Sequence, residues 1–351
     1  MRINLVSGFL GSGKTTAVQN ACHALLHQGH ITGVITNDQG IKLVDGDFFN
    51  SLNIPGRQVI NGCFCCNYDH LENNIRSLIE TNKVEVVFAE SVGSCTDLVA
   101  TVLKPLLFFR PQDQVTVSTF TDVRLLFMIL KNEGSFDESV RYIYLKQLEE
   151  ARIIIINKID LSSTQQLNEI KKLMNEKYAG KILLYQNSLD ENNILHWLKT
   201  LNDNISTGEP KSLSIDYDIY AEGEAKLAWL DQELEIFSSD NNALRDAEHL
   251  INNIYKKISD HQYAIGHLKF LINGEIKISF VANDQPLIRM TIAPVASASV
   301  LINLRVQTEP GMIKDLIAAS IKEVENLTGC KIIINSLSAF QPGYPTPTHR
   351  I

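Results

Sequence analysis

At 351 residues the chain is long enough to form two domains with separate cores. A formal charge of -8 and a pI near 5.6 argue against a nucleic-acid partner, because neutralising phosphates needs a basic surface. No stretch approaches a membrane span, so no membrane partner is expected. With Met1 leading straight into the first strand no signal peptide is expected, and the motif-bound, unpaired cysteines fit a reducing cytoplasm.

The apolar run 3–6 reads as a strand, and Gly8-Phe9-Leu10-Gly11-Ser12-Gly13-Lys14-Thr15-Thr16 follows it directly. Gly8, Gly11 and Gly13 let the backbone wrap its NH groups around phosphate oxygens, and the helix starting near Lys14 adds its positive end. In such a loop Lys14 reaches the β and γ phosphates, Thr15 ligates Mg²⁺ and Thr16 meets the α phosphate. A nucleoside triphosphate is the expected ligand. In the helix, Val18, Ala21, Cys22 and Leu25 fall at helical spacing, so Cys22 reads as core. His23, His27 and His30 read as a solvated face.

A strand is expected over 31–36, ending at Asn37-Asp38-Gln39-Gly40. Then Asn61-Gly62-Cys63-Phe64-Cys65-Cys66 packs three thiols into four positions. Adjacent cysteines make a strained disulfide, whereas thiolates so spaced suit Zn²⁺ and related soft ions, with one coordination position left for a borrowed ligand. Small buried hydrophobes, or a redox switch, are the alternatives. Cys95 and Cys330 read as core.

Further strands are expected over 84–89, 115–120, 153–156 and 182–185. The first leads into Glu90-Ser91-Val92-Gly93. The third ends at Asn157-Lys158-Ile159-Asp160, where Asp160 can accept from the N1 and N2 donors of guanine and Lys158 can lie along the base. GTP is therefore expected over ATP. Strands alternating with helical patterns indicate an α/β fold, a P-loop NTPase domain with a mostly parallel sheet covered on both faces.

A polar linker is expected over 202–212, containing Gly208 and Pro210, so that the first domain spans 1–201 and a second spans 213–351. In the second, strands near 225–236, 264–272, 276–281, 288–292, 299–306 and 331–337 accompany helices near 242–259 and 311–327. That order is a smaller α+β domain resembling a split β-α-β unit.

In order and spacing, the phosphate loop, Cys-x-Cys-Cys, Glu90-x-x-Gly93 and Asn-Lys-Ile-Asp resemble the CobW-type metallochaperone GTPases, more distantly HypB and UreG. The resemblance implies GTP/GDP and Mg²⁺, with Lys14, Thr15 and Glu90 catalytic and Glu90 arranging Mg²⁺ and the attacking water. It implies a transition metal, Zn²⁺ or Co²⁺ foremost, on Cys63, Cys65 and Cys66. Asp38 stands where the family commonly has glutamate, so a shorter carboxylate must make any metal contact there. The nine histidines are scattered, which removes the His-rich metal store of many members, and Phe64 is bulkier than the usual small aliphatic. The run 217–222 and the tail 342–350 resemble one branch of the family's second domain, where Glu222, Glu224 and His349 read as solvated surface rather than metal or client contacts. The implied partner is a client metalloprotein or a cobalamin-related protein, and a homodimer is compatible. The implied function is slow GTP hydrolysis coupled to metal delivery. The alternative is a metal-sensing or buffering GTP-binding protein; a small-molecule kinase would have no use for Asn-Lys-Ile-Asp.

Overall fold

The computed structural model describes residues 1–37, 54–60, 62–134, 136–206, 210–283, 285–290 and 293–351. Expectations placed on Asp38, Gln39, Gly40, Asn61 and Gly208 lie outside them. The described residues fall into two compact units. One takes those of Met1–Gln39, Leu52–Gly223 and Tyr344–Ile351, the other those of Glu224–Gly343. Residues 213–223 and 344–351, grouped by sequence with the second domain, thus belong to the first unit.

The first unit is a seven-stranded sheet in the order β3-β2-β4-β1-β5-β6-β7. Its strands are β1 (Arg2–Gly8), β2 (Thr32–Asn37), β3 (Gly56–Val59), β4 (Val86–Glu90), β5 (Gln114–Asp122), β6 (Ile153–Asn157) and β7 (Ile182–Gln186), and every neighbouring pair is parallel. Parallel neighbours need crossovers, so helices cover the sheet and β1, β2, β4 and β6 are buried with little alternation. Those helices are α1 (Lys14–His27), α2 (Tyr68–Asn82), α3 (Lys104–Phe109) after a π turn at Val99–Leu103, α4 (Val123–Leu130), α5 (Glu138–Glu150), α6 (Thr164–Lys177) and α7 (Glu191–Asp203); α8 (Tyr217–Ala225) follows, its last two residues counted with the second unit. Register aligns Val6 with Glu90, Gly8 with Phe120 and Asp122 with Asn157. The carboxyl ends of the four central strands therefore present their loops side by side, where α/β sheets bind ligands.

The edge strand β3 has no counterpart in the apolar pattern. Gly-Arg-Gln-Val is half-buried except for Val59, and its place is fixed by pairing with β2 rather than by hydrophobic burial.

The second unit has β8 (Leu227–Phe237), α9 (Ala243–Asp260), β9 (Ile265–Ile272), β10 (Ile276–Phe280), β11 (Ser297–Gln307), α10 (Pro310–Thr328) and β12 (Lys331–Phe340). The sheet order is β10-β9-β11-β8-β12, antiparallel throughout. Leaving out the hairpin strand β10, this is a split β-α-β arrangement. Alternate residues of β8, β9 and β11, among them Leu230, Leu234, Leu268, Phe270, Ile302 and Leu304, share a core with the apolar faces of α9 and α10. The strand expected at 288–292 does not form over the described residues 288–290. Side chains of α9 take their backbone groups instead: Ile288 N–H donates to Asn252 Oδ1 at 2.9 Å, and Met290 N–H to Glu248 Oε2 at 2.6 Å.

Candidate nucleotide and metal site

The loop from β1 to α1 has Gly8, Gly11 and Gly13 at φ of 128°, 70° and 90°. Glycine is required at two of these for space as well. A Cβ on Gly8 would stand 2.1 Å from Phe120 O, and one on Gly13 would stand 2.4 Å from Asn157 Nδ2. Lys14 folds back so that Nζ donates to Gly8 O at 2.7 Å and Phe9 O at 3.3 Å, holding its charge at the mouth of the loop. Thr15 Oγ1 donates to Glu90 Oε1 at 2.9 Å, and both residues are buried. A hydroxyl and a carboxylate converging beside a loop of backbone NH groups are hard oxygen donors of the kind Mg²⁺ takes with phosphate oxygens. Ser12 and Thr16 lie in the same turn, Ser12 buried and Thr16 half-buried.

On the next loops, Asn157 braces the phosphate loop rather than facing outward. Its Nδ2 donates to Ser12 O at 2.8 Å while Oδ1 accepts from Ser188 N–H at 3.0 Å and Ser188 Oγ at 2.8 Å. Lys158, in left-handed backbone at φ 61°, extends to Gly11 O at 2.6 Å and to Asp122 Oδ2 at 3.1 Å. Burial alone would raise the Asp122 carboxyl, but bonds from Arg124 and the Lys158 charge outweigh it and hold Asp122 below the usual range. Asp160 is exposed in the turn Ile159–Leu161, available to a base arriving from solvent. Asp122 and Ser188 were missed by sequence reasoning, and no local spacing marks them. They matter because β5 and β7 flank β6.

The three thiols form one turn ahead of α2, closed by Cys66 N–H to Cys63 O at 3.1 Å and Asn67 N–H to Cys63 O at 2.9 Å. Cys63 and Cys65 are buried and Cys66 is partly exposed. Among the described residues, these are the group whose ligand atoms cluster closely enough for a metal, with every sulfur within 4.8 Å of the others. The sulfur separations are 2.7 Å (Cys63 to Cys65), 3.4 Å (Cys63 to Cys66) and 3.6 Å (Cys65 to Cys66). All exceed a disulfide bond, and a tetrahedral ion with Zn–S near 2.3 Å needs sulfurs about 3.8 Å apart. Opening the shortest by about 1 Å meets that requirement, so the donor set fits a soft ion. Hydrogen bonds from Cys65 and Cys66 favour the thiolate at Cys63 and hold its pKa well below the usual thiol value, while the shared proton raises Cys65.

Two further groups hold this turn. Asn37, at the end of β2, donates to Val59 O at 3.0 Å and Gly62 O at 2.8 Å and accepts from Phe64 N–H at 2.8 Å. The segment Tyr344–Ile351 crosses from the other side: Thr348 N–H donates to Cys65 O at 2.8 Å and Thr348 Oγ1 to Cys66 O at 3.0 Å. His349 packs edge-on against Tyr68 with centroids 5.1 Å apart. Arg350 Nε reaches the buried Asp97 Oδ2 at 2.8 Å, which also accepts from Tyr217 OH at 2.7 Å. His349 is thus half-buried against Tyr68 and Phe109 rather than on the solvated surface read from sequence.

Residues 2–183 match the family model described as CobW/HypB/UreG, nucleotide-binding domain. The chain belongs to this family. It is 26% identical over 193 residues to the zinc chaperone YeiR of Escherichia coli, covering 52% of this chain and 54% of that protein. Over 200 residues it is 23% identical to the zinc chaperone CobW of Sinorhizobium, covering 50% and 56%. The chain thus spans about half the length of these curated relatives. Among solved structures, HypB from Helicobacter pylori in complex with nickel aligns at 17% identity with a TM-score of 0.42, covering 61% of this chain and 91% of that one. As a member of the family the chain carries a P-loop nucleotide-binding domain, and among the described residues no helix is long and apolar enough to cross a membrane.

Proposed function

We propose that this protein is a slowly hydrolysing GTPase that carries a transition metal, Zn²⁺ or Co²⁺, on Cys63, Cys65 and Cys66 and passes it to a client metalloprotein or cofactor pathway. Family membership and the zinc chaperones among its relatives support this reading. The observation that carries it is the position of Asn37. That residue ends β2, opens the segment Asn37-Asp38-Gln39-Gly40, and by two hydrogen bonds, to Gly62 O and from Phe64 N–H, fastens the turn holding the thiols. A segment that responds to the γ phosphate would then pull on the metal turn directly.

In this scheme Gly8, Gly11, Ser12, Gly13, Lys14 and Thr16 bind the phosphates, Thr15 and Glu90 hold Mg²⁺, and Asp160 reads guanine. Mg²⁺ when bound neutralises the developing phosphate charge, and Glu90 orients the attacking water. By linkage a coupling of ~1 to 3 kcal/mol changes metal affinity ~5 to 150-fold between nucleotide states, and GTP affinity by the same factor. The motif-bound thiols suit a reducing compartment such as the cytoplasm.

The test is a Zn²⁺ and Co²⁺ titration of the reduced protein against a chelator, with GDP and with a non-hydrolysable GTP analogue plus Mg²⁺. The expected outcome is a nucleotide-dependent dissociation constant. Equal affinity in both states would leave a metal buffer that also binds GTP.

A further inference from the structure

We infer that a cavity at the amino end of β6 binds a small organic anion with an apolar body, and that its occupant locks Tyr344–Ile351 over the cysteine turn. The cavity holds about 300 Å³, at the lower end of ligand pockets, which run from about 300 to 1,000 Å³. It adjoins Arg152, the residue before β6, whereas the phosphate loop is braced from Asn157 at the other end of that strand. Its lining is apolar at Val99, Leu103, Val117, Ala151 and Leu213. One wall is the π turn Val99–Leu103, a helix distortion found frequently at functional sites.

The polar groups of the lining choose the ligand. Glu150 Oε2 accepts from Val99 N–H at 3.3 Å, whereas the buried Oε1 has no partner. A buried oxygen left unpaired is the exception in folded proteins, and a ligand that bonds it removes the cost. Burial, with Asp97 nearby, keeps this carboxyl protonated at neutral pH. Since Oε2 accepts, the proton belongs on Oε1, where it donates to an incoming oxygen. Arg152 and Lys211, both exposed, bring to the cavity two cations with no ion-pair partner among the described residues. Glu149 offsets neither, being paired with Lys146 at 2.7 Å. Two unmatched cations and an O–H donor suit a carboxylate head, and the apolar lining suits its hydrocarbon body.

The same walls anchor the segment that crosses the thiols. Ile351 N–H donates to Ala100 O, in the π turn, at 3.0 Å. Arg350 Nη2 donates to Leu213 O at 2.8 Å, and Ser212 Oγ to Ile351 O at 2.9 Å. From the same segment Thr348 bonds Cys65 O and Cys66 O. Lifting the segment off the thiols therefore loosens the walls at 99–103 and 211–213 together and takes the cavity apart. A ligand that binds the assembled cavity and not the loosened one opposes that opening by mass action. The effect needs no metal on the thiols, so it stands apart from the chaperone reading.

The test is a saturation-transfer NMR titration of the metal-free, reduced protein with hexanoate, and with hexanol as its neutral counterpart. Hexanoate should bind, and hexanol at least about tenfold more weakly, the factor that loss of a hydrogen bond to a charged group carries. Arg152→Ala combined with Lys211→Ala should weaken hexanoate by the same factor or more; both positions are exposed, so the fold is spared. Lys172→Ala combined with Lys322→Ala, equally exposed and outside the cavity lining, should leave affinity unchanged. At about ten times its dissociation constant, hexanoate should slow alkylation of Cys66 about tenfold. Absence of hexanoate binding, equal binding of hexanol, or indifference to the loss of Arg152 and Lys211 would overturn the anion site. Binding with unchanged alkylation would overturn the lock on the thiols and leave the site standing.

Discussion

Thr15 Oγ1 donates to Glu90 Oε1 across 2.9 Å, joining the first turn of α1 to the end of β4. The pair is possible because β4 lies beside β1 in register, with Glu90 opposite Val6. Glu90→Gln keeps the acceptor oxygen and removes the charge. GTP turnover should fall about 100-fold, in the range expected for losing a positioned acid-base group, while GDP binding changes only a few-fold. Single-turnover phosphate release measures the first and fluorescent GDP titration the second; unchanged turnover would remove Glu90 from the reaction.

Asn157 is a brace, and its loss should register as instability as well as weak binding. Asn157→Ala removes the donor to Ser12 O and the acceptor of both Ser188 bonds in a buried place. About 2 to 3 kcal/mol of stability should go with it. Denaturant unfolding without nucleotide should reveal this, which a residue that touched only the base would not produce.

Asp160→Asn exchanges an acceptor pair for one acceptor and one donor. Guanine then loses a partner for its N1 and N2 donors, and a purine with a carbonyl at position 2 gains one. Competition between GTP and xanthosine triphosphate should shift by at least about tenfold toward the latter, as expected when one buried polar partner is mismatched. An unshifted ratio would mean that Asp160 does not meet the base.

These sites were legible to different degrees, for physical reasons. The phosphate loop and the strands β1, β2, β4, β5, β6 and β7 are written locally, in glycines that must reach positive φ and in apolar runs suited to a sheet covered on both faces. The edge strand β3 carries too little apolar surface to be seen. The stretch 288–290 is apolar enough to suggest a strand, but Asn252 and Glu248 satisfy its backbone first. Asp122 and Ser188 act only through neighbours brought in from other strands and loops, and nothing adjacent to them in sequence announces it.

Glu150 makes stability fall as pH rises. It ends α5 beside a cavity of about 300 Å³ lined in part by Val99, Leu103, Val117, Arg152 and Lys211. One carboxyl oxygen accepts from Val99 N–H at 3.3 Å and the other has no partner. Burial, with Asp97 nearby, pushes its pKa up to about 8. The folded protein thus holds a proton that the unfolded chain releases at ordinary carboxyl pH. Stability is greatest below that range and declines as pH climbs to about 8. Glu150→Gln should abolish this slope and gain about 1 to 2 kcal/mol at pH 9 relative to wild type, read from denaturant midpoints at pH 5, 7 and 9.

Removing Tyr344–Ile351 should uncover the thiols. Thr348 would no longer hold the turn, and the buried Asp97, losing Arg350, would keep only Tyr217 among the partners that meet its Oδ2. Alkylation of the metal-free, reduced protein should speed at Cys66 by about tenfold or more, the factor that freeing a restraint worth about 1.4 kcal/mol gives. Arg350→Ala should give a smaller increase. Peptide mapping of the modified cysteine is the measurement.

The crossing of Tyr344–Ile351 over the cysteine turn also sets an order of events during synthesis. A ribosome adding about 5 to 20 residues each second needs roughly 15 to 60 s to travel from Cys66 to Thr348. Throughout that interval the thiols are already made and the strap over them is not. A newborn chain is therefore at its most reactive toward oxidants and stray metal ions until Tyr344–Ile351 has been made and has crossed the turn.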